Sequence, residues 1–362
     1  NAMDLKDMVI GRLNGGVMSF RDFMDTAVYY PQLGYYCHTG EIHQSTDYLT
    51  SPVITPLFGR LIAKQLEEVW LLMGTKNFTI VEYGEGSAIL CSDILHELSE
   101  NKKIYEQLTY YIIEKNTDSA RSIHASFPGK VKYVQRIEEV PREDVCILSN
   151  ELVDNFPVHI IVKEKKYQEI FVGYRNDFFE TPRPVNGEIT EYLDEAVCDV
   201  KEGEKKAVNL EAKKWIQDIG RWLQKGVVIT IDYGYTTDNT PKHNKEDAVH
   251  PIACYYRHRR HFNPYIIIGE QDITARVDFS ALRYWGEKTG LLFSALVPQK
   301  LFLSALGFTE ALRKAETHEK LQQGFMASFF LNEFILQMGR NIKIMLQYKG
   351  LSRLQLKGFS LL

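Results

Sequence analysis

The chain has 362 residues, room for two ordinary domains or one large domain with insertions, and its 44% hydrophobic and 25% charged content is that of a globular protein. Forty-three Lys and Arg against 47 Asp and Glu leave a net charge of −4, which excludes a global basic field for nucleic acid or an anionic membrane, while 24 Gly and 12 Pro exclude collagen-like and low-complexity chains. Five cysteines without a C-x-x-C pair and ten histidines without ligand spacing argue against a disulfide framework or a metal site; with no apolar run of ~18 residues and no basic-then-apolar opening, a cytoplasmic chain is expected.

In chain order, residues 4–13 and 19–29 read as short helices, the second opened by Ser19 as N-cap. Residues 30–56 are irregular, and Tyr29, Tyr30, Tyr35, Tyr36 and Tyr48 crowd there, a group better suited to filling a hydrophobic seam than to stacking over a ligand. Thr55 and Pro56 open a helix with apolar positions Leu57, Leu61, Leu66, Val69 and Trp70 that stops before Gly74. Residues 1–76 are thus expected to form an N-terminal helical extension that caps the active site. Apolar runs at 78–83, 108–113, 131–134 and 145–148 then alternate with segments long enough for helices. A helix at 210–223 and a fifth strand at 227–231 follow, and 342–346 reads as a late edge strand. This alternation predicts an α/β core over 77–362, a mostly parallel sheet with helices on both faces. Two stretches interrupt it: about 157–204, a β meander turning at Asn176-Asp177, and about 233–300, a substrate-side cap. The apolar periodicity of 321–336 reads as core packing.

The turn Val81-Glu82-Tyr83-Gly84-Glu85-Gly86-Ser87-Ala88 joins the first core strand to a helix, and bare glycine backbone there lets a ligand approach closely. A dinucleotide fingerprint fits poorly, because its third glycine falls on Ile89 and Glu82 and Glu85 would face a pyrophosphate. S-adenosylmethionine (SAM) suits the turn better: it is cationic, and Glu114 at the next strand end can accept from its ribose hydroxyls. A plain strand-to-helix turn stays open. Asn150-Glu151-Leu152-Val153-Asp154 follows the fourth strand and reads either as a carboxylate clamp for a guanidinium or as acids capping a helix start. No D-P-P-Y or N-P-P-Y string marks methylation of a DNA base. His258-Arg259-Arg260-His261 reads as a solvated loop before a nucleic-acid contact, with contact to an acidic protein face left open.

The chain resembles the MidA-type SAM-dependent methyltransferases over nearly its whole length. The shared residues begin with Phe20-Arg21-Asp22-Phe23-Met24, Tyr30-Pro31-Gln32-Leu33-Gly34-Tyr35-Tyr36, Asp47-Tyr48-Leu49-Thr50-Ser51-Pro52 and Phe58-Gly59. After the glycine turn come Asn150-Glu151-Leu152-Val153-Asp154-Asn155-Phe156-Pro157, Glu211-Ala212, Trp215 and Ile229-Thr230-Ile231-Asp232-Tyr233-Gly234. Gly269, Asp272-Ile273-Thr274-Ala275, Val277-Asp278-Phe279, then Gln299, Phe302, Leu303 and Gly307, and Gln347-Tyr348-Lys349-Gly350 complete the pattern. The resemblance implies a Rossmann-like methyltransferase fold, SAM as cofactor and a protein arginine as acceptor, as in mitochondrial members that act in respiratory complex I assembly. Strand-end placement and the resemblance together assign Glu82, Gly84, Gly86, Glu114, Asn150, Thr50 and Pro52 to the cofactor. They assign Glu151 and Asp154 to the acceptor, with Asp47 and Asp272 in support. Glu85 and Ala88 stand where the family has Pro and Gly, and Thr46 where it has Gly. These departures support the alternative of a catalytically silent assembly factor.

Overall fold

A computed structural model of the chain describes residues 4–37, 55–84, 88–114, 126–196, 200–237, 250–257, 259–318 and 341–361. The chain forms two compact units, one from Asn1–Leu49, Val153–Trp215 and Tyr235–Tyr284, the other from Thr50–Leu152, Ile216–Gly234 and Trp285–Leu362.

Helix α1 (Leu5–Leu13) starts at Asp4, whose carboxylate accepts from the Lys6 N–H. After β1 (Val17–Ser19), α2 (Phe20–Tyr29) is capped by Ser19, which accepts from the Asp22 N–H. Helix α3 (Pro56–Met73) is capped by Thr55 and ends at Gly74, which takes the left-handed φ of +61°. Then follow β2 (Phe78–Tyr83), α4 (Ile89–Ser99), α5 (Lys102–Gln107), β3 (Leu108–Ile113), β4 (Val131–Val134) and β5 (Glu143–Asn150). The middle of the chain supplies β6 (His159–Glu164), β7 (Lys166–Tyr174), β8 (Phe178–Pro184), α6 (Gly187–Glu195), β9 (Lys205–Val208), α7 (Leu210–Trp222) and β10 (Lys225–Tyr235). Last come β11 (Ala253–Tyr256), β12 (Arg259–His261), β13 (Asp272–Thr274), β14 (Val277–Asp278), α8 (Phe279–Glu287), β15 (Leu292–Pro298), α9 (Gln299–Ala305), α10 (Phe308–His318) and β16 (Ile342–Lys349).

In the second unit the strands run in the order β15-β16-β10-β5-β2-β3-β4. The five from β10 to β4 are parallel, and β16 is antiparallel to both of its neighbours. Strands buried on both faces need apolar residues at every position, which is why they read as continuous runs in the sequence. Leu61, Leu66 and Val69 of α3 and Ile94 and Leu98 of α4 pack with Ile80, Tyr110, Leu148 and Ile229 in one core. Three expectations are corrected here. Helix α3 belongs with the sheet core, so the N-terminal extension does not reach residue 76; the periodic apolar face read from its sequence is the face it buries. The run 342–346 is no edge: it pairs on both sides, Ile342, Ile344, Met345 and Leu346 are buried, and β15 lies outside it. Between β4 and β5 the described chain makes a single 3-10 turn, Ile137–Glu139, where a helix was expected.

In the first unit β8 lies along one edge of β7, while β6 and β1 share the other edge and β9 continues beyond β6. This is the meander expected from the alternating sequence, and its turn at Asn176-Asp177 is closed by the Arg175 N–H donating to the Asp177 carbonyl at 3.1 Å. Phe20, Phe23 and Met24 of α2 pack against Val158, Ile160, Ile170 and Val172. A three-stranded sheet, β12-β11-β13, completes the unit. Among the described residues no helix is long and apolar enough to cross a membrane. The segment 321–336 lies outside the described residues.

Candidate active site

Parallel register sets the carboxyl ends of β2, β3 and β5 side by side in the large sheet. Glu82 of β2 stands opposite Ile112 of β3 and Leu148 of β5. Two residues further along each chain come Gly84 and Glu114, just past the ends of β2 and β3, and Asn150, the last residue of β5, so these residues gather with Glu82 at the carboxyl ends of adjacent strands. Glu82 is only 2% exposed, and the Tyr110 O–H donates to its Oε2 at 2.6 Å. Burial, with Glu82 adding to it, pushes the Tyr110 phenol well above the ordinary tyrosine range, so it remains a donor.

Gly84 has φ +72°, its N–H donates to the Ile113 carbonyl at 3.1 Å, and a Cβ there would stand 3.0 Å from Leu152 Cδ1. Only glycine fits that turn. Ala88, the N-cap of α4, holds the same left-handed region at φ +60° with no side-chain cap. A methyl in this conformation costs about 1–2 kcal/mol. The Oδ1 of Asn150 is buried with no hydrogen-bond partner among the described residues. A buried acceptor of this kind calls for a donor, and a ligand carrying N–H or O–H groups supplies one. Together with the half-buried carboxylate of Glu114, these acceptors fit a cationic nucleoside that carries donors, such as SAM.

Glu151 follows directly. Its φ of +49° is unusual for a residue with a side chain, its N–H donates to the Ile231 carbonyl at 2.9 Å, and both carboxylate oxygens are buried. Such a backbone is held by its surroundings and aims the side chain.

Asp154 and Asp272 are both buried in the first unit, at 4% and 5% exposure, and both bear on Tyr36. The Tyr36 O–H donates to Asp272 Oδ1 at 2.7 Å, the Ala275 N–H donates to the Asp154 carbonyl at 2.8 Å, and the Tyr29 O–H donates to the Asn155 carbonyl at 3.1 Å. Burial first, then the charges of Asp272 and Asp154, raises the Tyr36 phenol well above its usual range. Tyr36 is therefore a permanent donor that fixes one oxygen of Asp272. Tyr29, Tyr30, Tyr35 and Tyr36 pack as a seam, with the Tyr29 and Tyr36 rings stacked 5.5 Å apart, while Tyr48 lies outside the described residues. Tyr110 and Tyr36 are the site residues that sequence spacing missed: each meets its carboxylate through tertiary pairing, and only Tyr36 stood in a quoted motif. Asp47, Thr50, Pro52, Gly86 and Glu85 lie outside the described residues.

Residues 61–297 match the family model Methyltransf_28, described as an S-adenosyl-L-methionine-dependent methyltransferase. A protein named protein arginine methyltransferase NDUFAF7 homolog, mitochondrial, from Drosophila melanogaster is 24% identical over 93% of this chain and 83% of its own length. The mouse protein arginine methyltransferase NDUFAF7, mitochondrial, is 25% identical over 82% of this chain and 72% of its own. Two crystal structures of superfamily members from Burkholderia thailandensis share the fold. One matches with TM-score 0.83 at 24% identity, and the other, bound to S-adenosyl-homocysteine, with TM-score 0.82 at 23%; each match covers 98% of this chain and 94% of the other. The expected cytoplasmic setting is overturned by these relatives, which are named as mitochondrial proteins.

Proposed function

The chain belongs to the S-adenosyl-L-methionine-dependent methyltransferase family, and we propose that it transfers the methyl group to the guanidinium of an arginine in a protein substrate. The observation that supports the cofactor half is the gathering of Glu82, Gly84, Glu114 and Asn150 at the carboxyl ends of the adjacent strands β2, β3 and β5. In that reading Glu114 accepts from the ribose hydroxyls, the bare backbone at Gly84 admits the nucleoside, and Asn150 Oδ1 accepts from a cofactor donor. When bound, SAM supplies an electrophilic methyl on its sulfonium.

The acceptor half rests on charge. An arginine with its pKa above 12 is a poor nucleophile, and carboxylates that hold the cation on one side leave the other nitrogen free to be aimed. We assign this to Glu151 and Asp154, with Asp272 and Asp47 in support. The positions of Asp154 and Asp272 are fixed by the Tyr36, Tyr29 and Ala275 hydrogen bonds. Residues 1–49 and the segments 157–204 and 235–284 are the parts we assign to substrate selection; the expected insertion to residue 300 runs too far, because Leu292–Pro298 is a strand of the large sheet. The names of the curated relatives support arginine as the acceptor, and the family resemblance supports a respiratory-complex subunit as the protein.

Titration calorimetry with SAM, followed by mass spectrometry of arginine peptides from a deletion strain, tests both halves. Micromolar binding and loss of specific arginine methylation are expected. Ala88, with its methyl group in a left-handed backbone, favours a silent binder, and absence of heat at millimolar SAM would establish that reading instead.

A further inference from the structure

One feature of the first unit is used by neither the cofactor residues nor the acceptor carboxylates named above. The loop from β12 to β13 exposes two isoleucines, Ile266 at 46% and Ile267 at 37%. Ile267 holds φ +43°, a region a β-branched residue occupies only under constraint. The constraint is visible. Gln271, fully buried, donates its Nε2–H to the carbonyls of Asn263, Pro264 and Ile266 at 3.3, 2.9 and 2.6 Å. The Tyr265 O–H donates to Glu180 Oε1 at 2.9 Å, and its ring stacks on Phe178. Gly269, at φ +88°, leaves no room for a Cβ, which would lie 2.6 Å from the Leu33 carbonyl oxygen. A loop fixed at this many points that still turns two large apolar side chains outward is built to present them.

The strand that feeds this loop is basic and open. Arg259 and Arg260 of β12 are exposed, as is Arg257 just before it, in a chain whose net charge is −4. Among the described residues β12 pairs with β11 alone, through Arg259 with Tyr256 and Arg260 with Tyr255. We propose that this edge docks an extended acidic segment of another protein, which pairs with β12, sets carboxylates on Arg259 and Arg260, and covers Ile266 and Ile267 with an apolar side chain. A strand edge without a second partner among the described residues favours a protein over RNA or a lipid surface, because main-chain pairing is recognition that only a polypeptide can return. The isoleucines are also half-covered already, which suits a flat contact better than insertion among acyl chains. The inference rests on the first unit alone, and its binding test does not depend on methyl transfer taking place.

The test uses the full chain without cofactor and a fluorescein-labelled ten-residue peptide of alternating Glu and Val, with a Lys–Val peptide as control. Fluorescence polarisation should show saturable binding of the acidic peptide, weakened at least about tenfold by Arg259→Glu with Arg260→Glu. Hydrogen exchange should show new protection of the 259–261 amides. Ile267→Gly relieves the strained backbone, so it should weaken binding about threefold or more while leaving the melting temperature unchanged or raised. No acidic-peptide binding at about 1 mM, equal binding by the charge-reversed protein, equal binding of the Lys–Val peptide, or loss in that variant only of binding to poly(U) or anionic vesicles would each overturn the proposal.

Discussion

Replacing Tyr110 with Phe removes one oxygen from the fully buried ring and leaves the rest of the packing intact. That oxygen carries the proton donated to Glu82 Oε2 at 2.6 Å, and Glu82 is itself only 2% exposed. A hydrogen bond to a charged group contributes roughly 1.5–3 kcal/mol, and water cannot readily take its place at this depth. Tyr110→Phe should therefore destabilise the second unit by about 2 kcal/mol, a roughly thirtyfold shift in its unfolding equilibrium. The assay is urea denaturation of wild type, Tyr110→Phe, Glu82→Gln and the double variant, followed by circular dichroism. With two units in the chain, tryptophan fluorescence is needed as a second probe to check that one transition is being read. Coupling between the two sites should be about 1–2 kcal/mol. A Tyr110→Phe protein within about 0.5 kcal/mol of wild type, or effects that simply add, would refute the claim that this bond holds Glu82 in place.

Other expectations concern strain, pH and transfer. Ala88→Gly removes about 1–2 kcal/mol of left-handed strain against about 0.4–1 kcal/mol of added unfolded-state freedom, so calorimetry should find it slightly more stable, with SAM affinity no weaker. The raised Tyr36 and Tyr110 phenols keep their protons when folded but release them near pH 10 when unfolded, so stability is full below about pH 10 and falls as pH rises beyond it. Denaturant midpoints from pH 8 to 11 should show that decline, smaller in Tyr110→Phe. Burial likewise pushes the Cys146 and Cys254 thiols up, and both should resist iodoacetamide until the protein is unfolded. Glu151→Gln should slow methyl transfer at least about a hundredfold while sparing SAM binding; unchanged turnover would remove that residue from the mechanism.

The sequence showed the large sheet well because a strand buried on both faces is apolar throughout, and the caps Asp4, Ser19, Thr55 and Gly74 marked helix ends through the backbone groups they satisfy. What it hid was pairing. Val17–Ser19 is too short to show a period, and it becomes a strand only by joining Phe171–Gly173, far along the chain. Hydropathy records that 342–346 is apolar but not which strands flank it, hence the misplaced edge. The candidate site was legible only as far as strand ends go: Glu82, Glu114 and Asn150 stand at the carboxyl ends of neighbouring strands, as the alternating pattern of runs implied. Tyr36 on Asp272 and Tyr110 on Glu82 depend on contacts with no local signature.

The position of β16 matters for synthesis as well as for the finished sheet. It is the last of the sheet's described strands to leave the ribosome, yet it lies between β10 and β15. Until it emerges, a nascent chain carries two apolar strands with bare edges facing the gap, the kind of surface that recruits chaperones or a neighbouring polypeptide. A premature stop before Ile342 would make that exposure permanent, so such truncations should be cleared by proteolysis or found in inclusion bodies even though the residues assigned to the cofactor are all present.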